Sequence, residues 1–415
     1  MRSFGKTMRN SLPAIGLGLM SAVGMVGVSA LMAPAAVAQK PTEAFVNAYT
    51  TAKDLTQKGQ WAQALPAIDK AMGEAQGNAQ KAPLAGMRVL AYTGLKNYPK
   101  LIEAIDAHRA LGGNDKSYDL ALIDAYDKTK QSAKAIETAK KLIANGTADH
   151  KIYGFVASKS LESKNYADAT SFANQAIAKS GGKAPKDYYN ILLKASLDQK
   201  KMDEYYATLE KAAAIHNDPI YWKPLIEATR KQPKFKEAVY GVDLYRAFDA
   251  AKVQLTKQDR SMWGEYAMNR GVPLEADKIL APLVASGDFG GANDPKAGRN
   301  KGFYATVQTD AKADKAGGLA KDESEAAAKP TGATYITVGE GYMATGDYAK
   351  AIDAFQKGLA KGAMEPGDTD YAKLKLGIAQ LKAGKKDDAR KTWADVKADN
   401  GSAWLARVYT SLSKV

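Results

Sequence analysis

Cysteine is absent from this chain, which excludes disulfides, thiolate metal sites and a lipidated N-terminal cysteine together. Histidine is nearly as scarce. His108, His150 and His216 stand 42 and 66 residues apart, without the local His or carboxylate spacing that a metal site needs. They read as surface or loop residues, and neither a metal nor a cofactor is expected. Phosphate-binding loops are missing too, because Gly5-Lys6-Thr7 lacks the upstream glycine of such a loop. The Gly-rich run from Gly287 to Pro295 carries Asp288 and Asp294. It has neither the alternating acidic ligands nor the closing Glu of a calcium loop, so an ordinary turn is expected.

Negative charge is in deficit: 59 Lys and Arg against 45 Asp and Glu leave a net +14. The start of the chain holds a long uncharged apolar run. Arg2, Lys6 and Arg9 precede the stretch Asn10 to Ala38, which closes on the small-residue triplet Ala36-Val37-Ala38. This pattern reads as a secretory signal over residues 1–38, cleaved after Ala38, with a mature periplasmic chain beginning at Gln39. The stretch is also long enough to span a bilayer if it is kept as an anchor. Cleavage removes those 3 cations and no acid, so 14 − 3 leaves +11. Such a charge favours an anionic membrane, peptidoglycan or acidic proteins. With no polybasic cluster or aromatic stacking platform, nucleic acid is not expected, and most lysines read as solvating the outer faces of helices.

Alanine recurs at nearly fixed distances. Ala64, Leu101, Ala135, Ala169, Tyr205, Ala238, Ala276, Ala351 and Ala389 are separated by 37, 34, 34, 36, 33, 38, 75 and 38 residues, the 75 being close to two periods. A unit of this length built from two helices cannot bury its apolar face alone and must stack on its neighbours. The clearest copy places Tyr335, Gly339 and Tyr342 on one face of a first helix, turns at Gly346-Asp347, and lines the second helix with Tyr348, Ala351 and Phe355. The next copy repeats it at an offset of 38, matching Gly339 to Gly377, Gly346 to Gly384, Ala351 to Ala389 and Phe355 to Trp393. Small side chains let two helices approach where they cross, and aromatics fill the space beside them.

These residues resemble the tetratricopeptide repeat, with its small residue in helix A, Tyr one turn later, Ala in helix B and an aromatic four residues on. The resemblance covers most of Thr42 to Lys397. It departs where Leu101 and Tyr205 replace the helix B alanine, and where Pro66 stands inside a helix and predicts a kink. The expected fold is all-α, a right-handed superhelical solenoid of about nine to ten antiparallel helix pairs. Its segments would be an N-terminal solenoid over 39–286, a loop and degenerate repeat over 287–331, and C-terminal repeats with a capping helix over 332–415. The loop runs from Ser286 to Lys301. Lys312 to Lys329 reads as a degenerate unit whose second helix is largely solvated, and Trp404 to Leu412 as the helix that covers the last repeat.

The resemblance implies a non-catalytic interaction scaffold that binds peptide or protein partners on the concave face lined by first helices. Transferring the positions between packing residues gives Lys53, Asp124, Asp127, Asn190, Lys194, Lys223, Glu227, Glu265, Asn269 and Glu340. A narrower likeness, in Tyr221-Trp222, Gly271-Val272-Pro273 and Gly346-Asp347-Tyr348, is to periplasmic repeat proteins that accompany TonB, ExbB and ExbD. It implies partners in the cell envelope of that type. The alternative is an envelope-assembly scaffold contacting anionic glycan or lipid. A remoter one comes from lytic transglycosylases, which share helical solenoids and carry a catalytic Glu followed by Ser. Glu323-Ser324 forms that dipeptide here, inside a charged stretch with nothing to build the water-poor pocket of a general acid, and no catalytic residue is assigned.

Overall fold

The computed structural model describes residues 40–415 except 114–116, 233, 363 and 365–367. The expected signal segment and its cleavage point lie outside the described residues. All regular structure among the described residues is helical. The chain forms two compact units, one ending at Gln199 and one running Lys200–Val415. Both boundaries of the expected 287–331 segment fall inside the second.

Unit 1 holds α1 (Glu43–Gln57), α2 (Trp61–Glu74), α3 (Asn78–Gly94), α4 (Tyr98–Ala110), α5 (Ser117–Lys128), α6 (Ser132–Ala144), α7 (His150–Glu162), α8 (Tyr166–Ser180) and α9 (Lys186–Asp198). Each helix packs antiparallel against the next. The first helices of pairs are α1, α3, α5, α7 and α9. Polar caps set where helices of both kinds begin: Thr42 Oγ1 accepts the Phe45 N–H at 3.1 Å, and Asn97, Asp149 and Asn165 accept from backbone N–H groups in the same way at α4, α7 and α8.

A constant offset of 16 residues marks where the two helices of a pair cross. Ala52 with Ile68, Val89 with Ile105, Ile123 with Ala139, and Ala157 with Ala173 are all at most 2% exposed. The second-helix positions four residues earlier are equally closed, with Ala64, Ala135 and Ala169 at 0% and Leu101 at 2%. The expected kink at Pro66 does not interrupt α2, which runs continuously through it. Pro66 lies on the exposed face, where water can satisfy the carbonyl of Ala62 that it leaves without an N–H partner.

Unit 2 holds α10 (Met202–His216), α11 (Pro219–Arg230), α12 (Glu237–Ala250), α13 (Lys257–Asn269), α14 (Pro273–Ala285), α15 (Ala297–Ala313), a π turn (Asp314–Gly318), α16 (Leu319–Ala328), α17 (Ala333–Thr345), α18 (Tyr348–Lys361), α19 (Asp368–Lys382), α20 (Lys386–Ala394) and α21 (Gly401–Leu412). The 16-residue offset recurs in its sharpest form here. A Cβ added to Gly264, Gly339 or Gly377 would lie 2.4 Å from Leu280, 2.6 Å from Phe355 or 2.1 Å from Trp393. Where the second helix brings a large side chain, the first supplies none.

Ala238 does not belong in the series. It is exposed, and Tyr240, 7% exposed, occupies the third place after the helix start where the other copies have alanine. The turn between α11 and α12 spans residues 231–236, longer than the two- or three-residue turns within the other pairs, and the register slips with it.

Unit 2 also turns back on itself. The terminal α21 packs on α19 and α20 and equally on α10, α11 and α12, while α14 touches α17 directly past the α15–α16 excursion. Tyr371 on α19 donates to the Val239 carbonyl at 2.7 Å, and Lys234 pairs with Asp399 at 2.7 Å. The helix that covers the last repeat therefore also closes on the unit's own beginning.

The turns within pairs share one further rule. Five residues before the second-helix position stands a left-handed residue: Gly59, Lys96, Lys130, Lys164, Lys200, Gly271, Gly346 or Gly384, with φ between 53 and 82°. Left-handed backbone costs a residue with a Cβ about 1–2 kcal/mol, of which glycine's own entropy loss offsets about 0.5–1 kcal/mol. Lysine beside a helix C-terminus recovers roughly 0.3–1 kcal/mol from the dipole. The α1–α2 turn obtains that gain without strain, since Lys58 caps the helix and Gly59 takes the left-handed position.

Gly377→Ala should lower stability by about 1–3 kcal/mol, because the added methyl overlaps the Trp393 indole. Gly298→Ala, in α15 with nothing within 4 Å of its Cβ position, should be neutral or stabilising by up to about 1 kcal/mol. Urea unfolding midpoints of the two variants decide this. An unchanged Gly377→Ala midpoint would show that the crossing has slack.

Candidate partner-binding face

The residue after each first-helix crossing position points away from the second helix, which puts Lys53, Leu90, Asp124, Ser158 and Lys194 in register along unit 1. Lys53 is exposed and Leu90 is 44% exposed. Val46, one heptad before Lys53, is 47% exposed. Large apolar side chains thus stand in water on two adjacent first helices, α1 and α3, as Ile220 does, 43% exposed, on α11. Asp124 is half-buried. Burial raises its carboxyl pKa first, Lys128 lowers it and Asp127 raises it again.

The expected contact residues take several places. In unit 1, Asp127 pairs with Lys159 at 2.7 Å and Lys194 with Asp198, while Asn190 is half-buried in α9. In unit 2, Lys223 and Glu227 face each other at 3.9 Å on α11, Glu265 pairs with Arg299 at 3.2 Å, and Asn269 is exposed at the end of α13. Glu340 requires a correction: it occupies the equivalent register position on α17 but is 1% exposed, so no partner can reach it.

Closure of unit 2 explains that burial. Glu340 lies in a cluster that draws charges from four helices. Arg246 on α12 donates through Nε to Glu275 Oε1 at 2.9 Å and through Nη1 to Asp243 Oδ1 at 2.7 Å and Glu340 Oε1 at 3.4 Å. Lys375 on α19, 0% exposed, bonds Asp243 Oδ2 at 3.1 Å and Glu340, with its ammonium 4.1 Å from the Tyr371 ring centroid. Trp263 Nε1 donates to Glu275 at 2.9 Å, and the Tyr409 hydroxyl donates to the Asp243 carbonyl at 2.7 Å.

Burial by itself would push the Asp243 carboxyl up, but Lys375 and Arg246 hold it well below the usual carboxylate range. Burial, and then the Asp243 charge, push the Tyr371 and Tyr409 hydroxyls far above theirs. Three carboxylates face two cations, and the Arg270 guanidinium, stacked 5.1 Å over Tyr371, is close enough for Asp243 and Glu340 to raise its pKa against the effect of burial. Sequence reasoning missed this cluster. Its only signals were a lysine inside the apolar run Leu374-Lys375-Leu376 and an Asp-Arg pair three apart among the apolar residues of α12.

The remaining candidates are structural in character. His150 Nδ1 lies 2.8 Å from the Tyr188 hydroxyl, and His108 and His216 pack against Tyr118 and Tyr221. No group of three or more metal-type side chains occurs among the described residues. No helix among them is long and apolar enough to cross a membrane. Asp294 accepts from the N–H groups of Gly290 at 2.7 Å and Lys296 at 2.8 Å, which organises the loop before α15. Glu323 accepts from Lys357 and Tyr342, each at 2.9 Å, and the lysine lowers its pKa despite some burial. A general acid working at neutral pH needs the opposite shift.

No protein-family model matches the chain. No curated protein matches it either. Similar solved structures include a tetratricopeptide repeat protein from Parabacteroides merdae, at 10% identity and a TM-score of 0.35, over 82% of this chain and 100% of that one. Yeast Tom70 is similar at 12% identity and a TM-score of 0.24, covering 89% and 95%. Naa15/Naa10 bound to HypK is similar at 15% identity and a TM-score of 0.29, covering 87% and 70%. At such scores the chains do not superpose as wholes, and the paired-helix repeat rests on this chain's own packing.

Lys375→Met should cost about 3–5 kcal/mol at neutral pH by stranding Asp243 and Glu340 in the interior. The deficit should shrink on acidification, because a stranded carboxylate has a raised folded-state pKa and takes up a proton more readily folded than unfolded. Unfolding of both proteins across pH checks this. A neutral-pH loss under about 1 kcal/mol would mean that the cluster holds nothing together.

Asp314, in the π turn, is pushed up to about 6 by burial and by Asp322 and Asp310. A raised acid pKa means that its stabilising protonated state is fully present below about 4 and lost as pH rises through about 6. Asp314→Asn should therefore stabilise by about 1 kcal/mol at pH 7, after discounting for solvent screening, and have no effect below pH 4. Equal effects at both pH values would refute the shift.

Proposed function

We propose that the chain is a non-catalytic scaffold that holds protein or peptide partners along the first-helix face of unit 1. The observation that carries this reading is the exposed apolar pair Val46 and Leu90 on α1 and α3, continued in register by Lys53, Asp124 and Lys194. A ladder mixing apolar and charged side chains on stacked helices suits an extended peptide or a partner helix. The apolar contacts give affinity and the charges give orientation. In unit 2 the corresponding position at Glu340 is consumed by internal ion pairs, so that unit contributes rigidity instead of an open face at that point.

The signal-like segment over residues 1–38 supports placing this activity in the periplasm. The likeness to proteins that accompany TonB, ExbB and ExbD supports envelope partners of that type.

A photo-crosslinking residue placed at Leu90 or Asp124 should give a defined adduct with an envelope protein, while the same residue at Lys70, exposed on the second helix α2, should give none. Leu90→Asp should cut adduct formation at position 124 by tenfold or more, since one buried aliphatic side chain is worth about 1.5–3 kcal/mol. Equal yields at 70 and 90, or no adduct at either face position, would overturn the assignment.

A further inference from the structure

We propose that one edge of unit 1, the edge formed by the turns within its helix pairs, docks on an anionic lipid surface through Lys58, Lys96, Lys130 and Lys164. Antiparallel stacking places every turn within a pair on one edge and every turn between pairs on the other. The two edges solve the same backbone problem differently. Left-handed positions between pairs are all glycine, at Gly77, Gly112, Gly146, Gly181 and Gly182, whereas within pairs they are Gly59 and then Lys96, Lys130 and Lys164. Unit 1 uses glycine on one edge and mostly left-handed lysine on the other, whereas unit 2 places a left-handed lysine, Lys252, between pairs. Observed strain of this kind points to a role at the residue that carries it.

The charge pattern agrees. The four turns Lys58-Gly59-Gln60, Leu95-Lys96-Asn97, Thr129-Lys130-Gln131 and Ser163-Lys164-Asn165 hold four lysines and no acid. All four lysines are exposed, and among the described residues none of their side chains is in an ion pair or hydrogen bond. Asp127 and Glu162, close in sequence to Lys130 and Lys164, are both engaged by Lys159. Helix-end turns protrude and form a ridge, which meets a flat surface and cannot enclose a strand. Lysines recur once per helix pair along this edge, and mobile lipid headgroups can match their spacing without any register of their own. A polyanion with fixed charge spacing lacks that freedom. If kept as an anchor, the apolar stretch over residues 10–38 would also bring this end of the chain to a bilayer.

The full chain is sedimented with vesicles containing phosphatidylglycerol and with vesicles of phosphatidylcholine alone, the latter subtracting any partition through residues 10–38. Binding to the anionic vesicles in excess of the neutral ones, falling as salt shortens the screening length, is expected. Each lysine near such a surface gives a roughly fivefold factor, so Lys96→Gly, Lys130→Gly and Lys164→Gly together should weaken binding by about 100-fold. Because glycine suits these backbone positions, the triple variant should fold normally. The same three positions replaced by Asn, which also tolerates left-handed backbone, serve as a second version. Lys70→Gln, Lys151→Gln and Lys183→Gln remove the same charge from exposed sites off this edge and should change binding much less. No excess binding to anionic vesicles overturns the proposal, as does equal weakening by the control triple, or binding to soluble polyglutamate without binding to vesicles.

Discussion

The rest of the fold depends on one close approach, repeated: a residue in the middle of a first helix meets the residue 16 positions later on the second. The tightest of these crossings set a first-helix glycine against a large side chain. Ala52 and Ala157 leave room for modest partners, Ile68 and Ala173, whereas Gly264, Gly339 and Gly377 leave room for Leu280, Phe355 and Trp393. The chemistry at the crossing varies from Ala157 with Ala173 to Val89 with Ile105, every pair being buried, so repeats of different composition stack on one another.

Unit 2 adds a second constraint of a different kind. A stack of repeats can grow or curve freely, but one whose terminal helix returns to its first helices must satisfy contacts on both sides. The charges of Asp243, Arg246, Glu275, Glu340 and Lys375 sit where α12, α14, α17 and α19 come together. Apolar side chains could fill such a space at no electrostatic cost. Mutually satisfied charges tolerate only one arrangement of the four helices, which links the burial of Glu340 to the specificity of closure.

The turns carry information that packing does not. Core positions are interpretable by volume alone, yet the left-handed lysines of unit 1 work against local backbone preference, a cost that the dipole of the preceding helix offsets only in part. Likewise Val46 and Leu90 work against solvent preference on the first-helix face. Unit 2 has departures of the same kinds at its surface, in left-handed Lys200 and Lys252 and in Ile220 at 43% exposed. It adds charges that it buries inside.

Period, pairing and the small-residue positions were legible in the sequence, because a helix pair repeats its core chemistry at the period of the chain. Ala64, Ala135, Ala169, Ala276, Ala351 and Ala389 are all fully buried as that periodicity requires. Counting residues failed at Ala238, where a longer turn shifted the register by a few positions without leaving a mark in the spacing. It failed again at Glu340, whose neighbours in sequence are those of an ordinary exposed position. Only the tertiary structure could decide that residue, because its surroundings come from α12 and α19, brought together by the return of α21 to the start of its unit. Local pattern determines which face of a helix is apolar. Long-range closure decides whether the opposite face meets water or another part of the same chain.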